Sequence, residues 1–220
     1  MALTDTTIAE LRRMIRSGEL PPGARLPPEK QLAAQFGISR GGVREAVKVL
    51  EAAHVLVVRR GDGTYVTGLE PRALLSCVGP AVELLRGDAL PQVAEVRKLL
   101  EPAATGLAAR RITDRQLASV AGALRDMRAA SGDPDLLLRA DVAFHRAAVA
   151  GTGNDTLIAL LDGLSGGAVR ARRWRGMALH GLVGAAIDEH RVIYDALRAH
   201  DPLLAQSAVL LHLTTPEPGG

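Results

Sequence analysis

The stretch LLLRADVAFHRAAVAGTGN, residues 136–154, is rich in Ala and Leu and reads as a helix. It also carries Asp141 and His145, four residues apart and therefore on one helical face. Leu136, Leu137, Leu138, Val142 and Phe144 around them predict that this face turns inward. Burying a polar group costs a few kcal/mol unless it is paired, and burying a charge costs more. The two groups must therefore satisfy each other or share a third party. Two further histidines stand in similar surroundings: His190 in IDEHRVIYDALRAHD, beside Ile187, Val192 and Ile193, and His212 in SAVLLHLTT. Three imidazoles converging on one carboxylate would make a nitrogen-dominated metal site, suited to Zn²⁺ or Ni²⁺ rather than Ca²⁺ or Mg²⁺. A plain Asp–His pair, buried or on a helix surface, is the competing reading of Asp141 and His145. His180 and His200 stand beside loop signals and are expected at the surface.

The elements that must position these groups follow from composition and punctuation. The chain has 220 residues, 47% of them hydrophobic but only 2% aromatic, so its cores are built from Ala, Leu and Val and favour helix. No window approaches the roughly 18 uninterrupted apolar residues of a membrane span. The start, MALTDTTIAELRRMIRSGEL, lacks the basic and apolar regions of a signal peptide. The single Cys77 excludes an intramolecular disulfide and is expected as a small buried hydrophobe. A cytoplasmic protein is the expectation. Residues 1–68 hold ten Lys/Arg against seven Asp/Glu, whereas residues 69–220 hold 17 of each, so the net +3 lies wholly in the first third. That excess suits an anionic partner there.

The spacing of Ile8, Leu11, Met14 and Ile15 predicts a first helix within residues 5–17. LPPGARLPP then breaks the pattern, with Pro28 placed for the first turn of a second helix, EKQLAAQF, that Gly37 ends. Ser39 is a good N-cap for a third, whose apolar face is Val43, Ala46, Val47 and Leu50. VLVVRR and TYVTG, joined across Gly61-Asp62-Gly63, read as a β-hairpin. A short helix, a turn and a capped second helix make a helix-turn-helix, whose second helix offers its N-terminal end to the major groove. That end carries Ser39, Arg40, Gly41, Gly42 and Arg44. Arginine reads guanine or clamps phosphate, and the helix-start amides add a phosphate site. The glycines cost about 1 kcal/mol each against Ala but let the backbone approach DNA. Arg59 and Arg60 put positive charge on the hairpin. A structural helix pair with solvated charges is the alternative. Beyond a looser stretch, only helical periodicity follows, for about six or seven helices.

Residues 20–66 resemble the winged helix-turn-helix of the GntR family of bacterial regulators. The matching frame is Leu20, Pro22-Gly23, Leu26-Pro27, Glu29, Leu32-Ala33, Phe36-Gly37, Ser39-Arg40, Val43-Arg44-Glu45-Ala46, Leu50, and Gly61-x-Gly63-Thr64-x-Val66. The resemblance places DNA contacts on Lys30, Ser39, Arg40, Gly41, Gly42, Arg44, Arg60 and Gly61. His54 stands where the family usually has a helix-ending Gly, Lys30 where it often has Arg, and Gly42 where it often has Pro or Thr. Residues 79–213 resemble the all-helical FCD ligand-binding domain of the FadR branch, through VRKLLEPAATGLAA (96–109), ADVAFHRAAVAGTGN (140–154) and DEHRVIYDALRAHDPLLAQSAVLLHL (188–213). In its metal-binding members one Asp and three His hold the ion, and these fall on Asp141, His145, His190 and His212. The architecture implied is mainly α: a winged helix-turn-helix (1–68), a linker (69–78), an all-α bundle (79–215) and a tail (216–220).

The resemblance implies a metal-dependent transcriptional regulator, not an enzyme, with Zn²⁺ or Ni²⁺ as cofactor. Its partners would be double-stranded DNA with a pseudo-palindromic operator, a small carboxylate effector and a second copy of the chain. Arg97 is the candidate second clamp for that carboxylate, since Arg grips carboxylates bidentately; a salt bridge with Glu101, one helical turn on, competes with that use. Asn154 would either cap a helix or touch the effector. RARRWR (170–175), with the only Trp, reads as a solvated helix face. Gly68 and Pro71 would let the orientation of the two domains change. A hydrolytic metalloenzyme is the second reading, weakened by the absence of an H-E-x-x-H motif or an evident general base. A purely structural metal is the third.

Overall fold

The computed structural model describes residues 3–87, 89–130, 132–165, 174, 176–178 and 181–214. The expected tail, His180 and all of the basic run except Trp174 lie outside the described residues. The chain divides into two compact units, Met1–Leu74 and Leu75–Gly220.

In the first unit α1 (Leu3–Arg16), α2 (Glu29–Phe36) and α3 (Arg40–Ala52) precede a hairpin of β1 (Leu56–Arg59) and β2 (Gly63–Val66), and α4 (Pro71–Leu74) closes it. Local chemistry sets these boundaries. Gly37 takes the left-handed conformation, φ 66°, that ends α2. Ser39 is extended, and its side chain accepts from the Gly42 amide to start α3. Pro28 is the N-cap of α2 rather than a residue of its first turn. β1 and β2 pair antiparallel from Leu56↔Val66 to Arg59↔Gly63. Residues 23–26 extend this ladder: Leu26 N–H donates to Thr64 O at 2.8 Å and Val66 N–H to Ala24 O at 2.9 Å. Leu11, Leu32, Val43, Ala46, Leu50, Leu56 and Val66 form the core beneath. His54 ends α3 with φ 56°, the left-handed conformation that glycine adopts without strain.

The second unit is helical among its described residues: α5 (Val78–Leu84), α6 (Ala89–Ala109), α7 (Asp114–Ala129), α8 (Pro134–Ala150), α9 (Asp155–Leu164), α10 (Val183–Arg198) and α11 (Pro202–Thr214). A capping box of Thr113 and Gln116 starts α7, and Asp133 with Pro134 starts α8. Helix α6 packs along α11, α7 along α8, and α10 against both α7 and α11. Gly106 permits the first of these contacts: a Cβ there would stand 2.9 Å from the Pro202 carbonyl oxygen. The core is small-residue helix packing around Phe144, Leu137, Met127, Ile193 and Leu197.

Three expectations need correction. The stretch 69–78 is not wholly irregular, since α4 lies within it and α5 begins at Val78. Cys77 is exposed rather than buried. Leu136 is 49% exposed; the inward face of α8 is Leu137, Ala140, Asp141, Phe144, His145, Ala148 and Val149, a stripe of helical period.

Candidate metal centre and nucleic-acid interface

In the second unit three helices deliver four side chains to one place. Helix α8 supplies Asp141 and His145 from successive turns, α10 supplies His190 and α11 supplies His212. Each is at least 95% buried, and the ligand atoms they offer all lie within 4.8 Å of one another. His190 and His212 meet edge to face with ring centres 4.3 Å apart, while Phe144 and Trp174 pack against His190 at 4.9 and 6.1 Å. Trp174 is 1% exposed, so the tryptophan of the basic run belongs to the core and not to a solvated face.

Hydrogen bonds fix the rings. His190 Nδ1 lies 2.7 Å from the Ala186 carbonyl one turn back. A carbonyl only accepts, so Nδ1 carries a proton. Nε2 faces Asp141 Oδ1 at 3.0 Å. Two electron-rich atoms in a buried site at this distance need a cation, either a second ring proton or a metal ion. His212 Nδ1 lies 2.8 Å from Glu189 Oε2, which likewise directs the ring proton outward. His145 has Nδ1 3.5 Å from Glu101 Oε2 and Nε2 3.6 Å from Asp141 Oδ1. Two donors bonded to one ion at about 2.1 Å each stand about 3 Å apart at a right angle. The donor set suits a borderline transition-metal ion, on which atoms now within 4.8 Å of one another would draw in.

Arg97 Nε pairs with Glu101 Oε1 at 2.6 Å, and both residues are buried. This is the salt bridge named as the alternative to a carboxylate clamp. Asn154 is exposed and caps α9, its side chain accepting from Leu157 N–H at 3.1 Å. A cavity of about 160 Å³ opens beside His145, lined by Glu101, Val142, Arg146, Val149, Leu161, Asp162 and Ser165; neither Arg97 nor Asn154 reaches it. Arg146, whose Nε lies 3.2 Å from Asp162 Oδ2, is the basic group among its described lining. The sequence pointed to Glu101 only as a partner for Arg97, and to Glu189 and Arg146 not at all. The only available signal was a charge one helical turn from, or next to, a histidine already singled out.

In the first unit Lys30, Ser39, Arg40, Gly41, Arg44, Arg60 and Gly61 are exposed, and Gly42 is half-buried. A groove of about 400 Å³ runs between the hairpin and α2–α3, with Glu29, Val43, Arg59, Arg60 and Gly61 on its walls. Glu29 holds the Arg44 Nε through both carboxylate oxygens, at 2.8 and 3.0 Å, and lies 4.0 Å from Arg40 Nη2. Arg59 stacks over the Tyr65 ring at 4.4 Å, and Tyr65 donates to Asp62 at the hairpin tip.

A winged helix-turn-helix coupled to a helical domain with a buried Asp–His₃ cluster defines a class of DNA-binding regulators. Residues 3–66 match the family described as bacterial regulatory proteins, gntR family, and residues 92–215 match the FCD domain. The chain belongs to the GntR family of transcriptional regulators and carries an FCD domain. It is 34% identical to the HTH-type transcriptional regulator LutR of Bacillus subtilis, covering 93% of this chain and 94% of that one. It is 31% identical to the galactonate operon transcriptional repressor of Escherichia coli, covering 94% and 92%. Among solved structures, Streptococcus agalactiae GntR is 32% identical, superposes with a TM-score of 0.67 and is covered to 96% in both chains. No helix among the described residues is long and apolar enough to cross a membrane.

Proposed function

We propose that the chain is a cytoplasmic, homodimeric repressor that releases or retains a pseudo-palindromic operator according to a small carboxylate bound beside a metal ion. The observation that carries this reading is the buried convergence of Asp141, His145, His190 and His212, with His190 Nε2 3.0 Å from the Asp141 carboxylate. Asp141, His145, His190 and His212 would hold the ion, with Zn²⁺ or Ni²⁺ the species suited to them. Bound there, the ion supplies Lewis acidity toward a carboxylate oxygen. The chain's own residues do the rest. Glu101, neutralised by Arg97, orients His145; Arg146 offers a second contact to an anion in the cavity and would exchange Asp162 for it. Arg97 therefore acts on the effector through Glu101, and Asn154 shapes the start of α9.

The DNA-reading residues are Lys30, Ser39, Arg40, Gly41, Gly42 and Arg44, with Arg60 and Gly61 on the wing. The name of the galactonate operon transcriptional repressor supports negative control and a link to a sugar acid. A regulator, not an enzyme, is the reading that its relatives favour over a hydrolase.

The test is metal analysis of gently purified protein, followed by thermal shift with a carboxylate panel. One equivalent of metal is expected, and His190→Ala should lower metal content and melting temperature together, because ion affinity adds to folded-state stability. A parent protein that is metal-free and gains no stability from Zn²⁺ or Ni²⁺ overturns the reading.

A further inference from the structure

We infer that Glu189 is a positioning residue of the metal centre, fixing His212 with its proton on Nδ1 and so presenting Nε2 to the ion. This rests on the metal reading above. The three rings differ in what holds their outer nitrogen. For His190 it is a backbone carbonyl of its own helix, Ala186, at 2.7 Å. For His145 it is Glu101 at 3.5 Å, beyond ordinary hydrogen-bond length and already engaged by Arg97. For His212 it is Glu189 at 2.8 Å, a carboxylate at full hydrogen-bonding distance from a different helix.

Glu189 directly precedes His190 in α10. Adjacent helical residues leave in different directions, so Glu189 cannot enter the cluster that His190 joins. It turns instead to the ring brought by α11. Its side chain is 29% exposed, at the rim of the site, while His212 is 2% exposed. A carboxylate behind a ligating imidazole fixes tautomer and ring orientation and raises the basicity of the inner nitrogen. Charge supports the same assignment. Glu101 is balanced by Arg97, and Asp141 with Glu189 then matches a divalent ion, leaving a buried site without net charge.

The test uses the full chain and Zn²⁺ as probe. In metal-free parent protein, long-range ¹H–¹⁵N spectra should show His212 as the Nδ1–H tautomer. Glu189→Ala should move that ring toward Nε2–H and weaken Zn²⁺ binding, measured by chelator competition, about 10–100-fold. Glu189→Gln, which keeps the shape and loses the charge, should also weaken it. Far-UV circular dichroism of the metal-free variants should match the parent. An unchanged His212 tautomer, or a Zn²⁺ dissociation constant equal to the parent's in both variants, overturns the inference. If the parent binds Zn²⁺ and His190→Ala does not, that failure belongs to Glu189 alone. A parent that binds no Zn²⁺ overturns the metal reading and this one with it.

Discussion

Arg44 is the residue on which the proposed reading of DNA turns. Its guanidinium is exposed on α3, one turn in from the Ser39 cap, and is held by both oxygens of Glu29. In an exposed setting such a pair contributes little to stability, typically under about 1 kcal/mol, because water screens it. Its value is positional: a long side chain is kept in one direction before DNA arrives. Arg44→Ala should therefore leave the fold intact and cost on the order of 1–3 kcal/mol in operator binding. Affinities measured across salt concentrations check this, and a variant that binds like the parent at every salt would mean that α3 is not the reading helix. The buried residues tell a parallel story about what a sequence reveals. Asp141, His145, His190 and His212 stood out because each interrupts an apolar helical stripe, where a polar group demands a reason. Glu101 stood out only as a partner for Arg97 and Glu189 not at all, because a Glu beside an Arg or a His on a helix is ordinary surface chemistry until packing shows what it touches.

Helix boundaries were legible where a capping residue stood out: Gly37, Ser39 and Asn154 each sit at a helix end. Helix α4 was not, since four residues are too few to show a period. Nor did the sequence mark Trp174 as core: three arginines beside it, residues 172, 173 and 175, pull the local pattern toward a polar face. Pairing between helices was equally hidden, because Ala-rich faces look alike. Here Gly106 is informative. Helix α6 approaches the start of α11 so closely that a Cβ at this position meets the Pro202 carbonyl oxygen at 2.9 Å. Backbone, unlike a flexible side-chain end, cannot swing aside. Gly106→Ala should destabilise the second unit by roughly 1–3 kcal/mol through overpacking, despite the better helix propensity of Ala. Chemical denaturation checks the sign; a gain in stability would mean that the α6–α11 contact is looser than its geometry. Because α11 also carries His212, the same variant should weaken Zn²⁺ retention.

At the scale of the whole chain, a regulator requires its effector to bind one arrangement more tightly than another, since equal affinity shifts nothing. A coupling of roughly 1–3 kcal/mol between effector and operator is the expected size. Reciprocity then requires operator DNA to change effector affinity by the same factor, so titrating the carboxylate with and without operator measures the coupling twice. Identical dissociation constants would make the metal centre a structural one. The cluster itself has one more consequence. Its donors come from α8, α10 and α11, so an ion there ties together segments as far apart in sequence as Asp141 and His212, in a chain whose single cysteine can form no internal disulfide. Copies made while the metal is scarce would unravel more often and be cleared by proteases sooner. The number of regulator molecules standing guard over a promoter would then follow the cell's mineral nutrition before any acid is sensed, and a shorter lifetime of the His190→Ala chain in growing cells would register it.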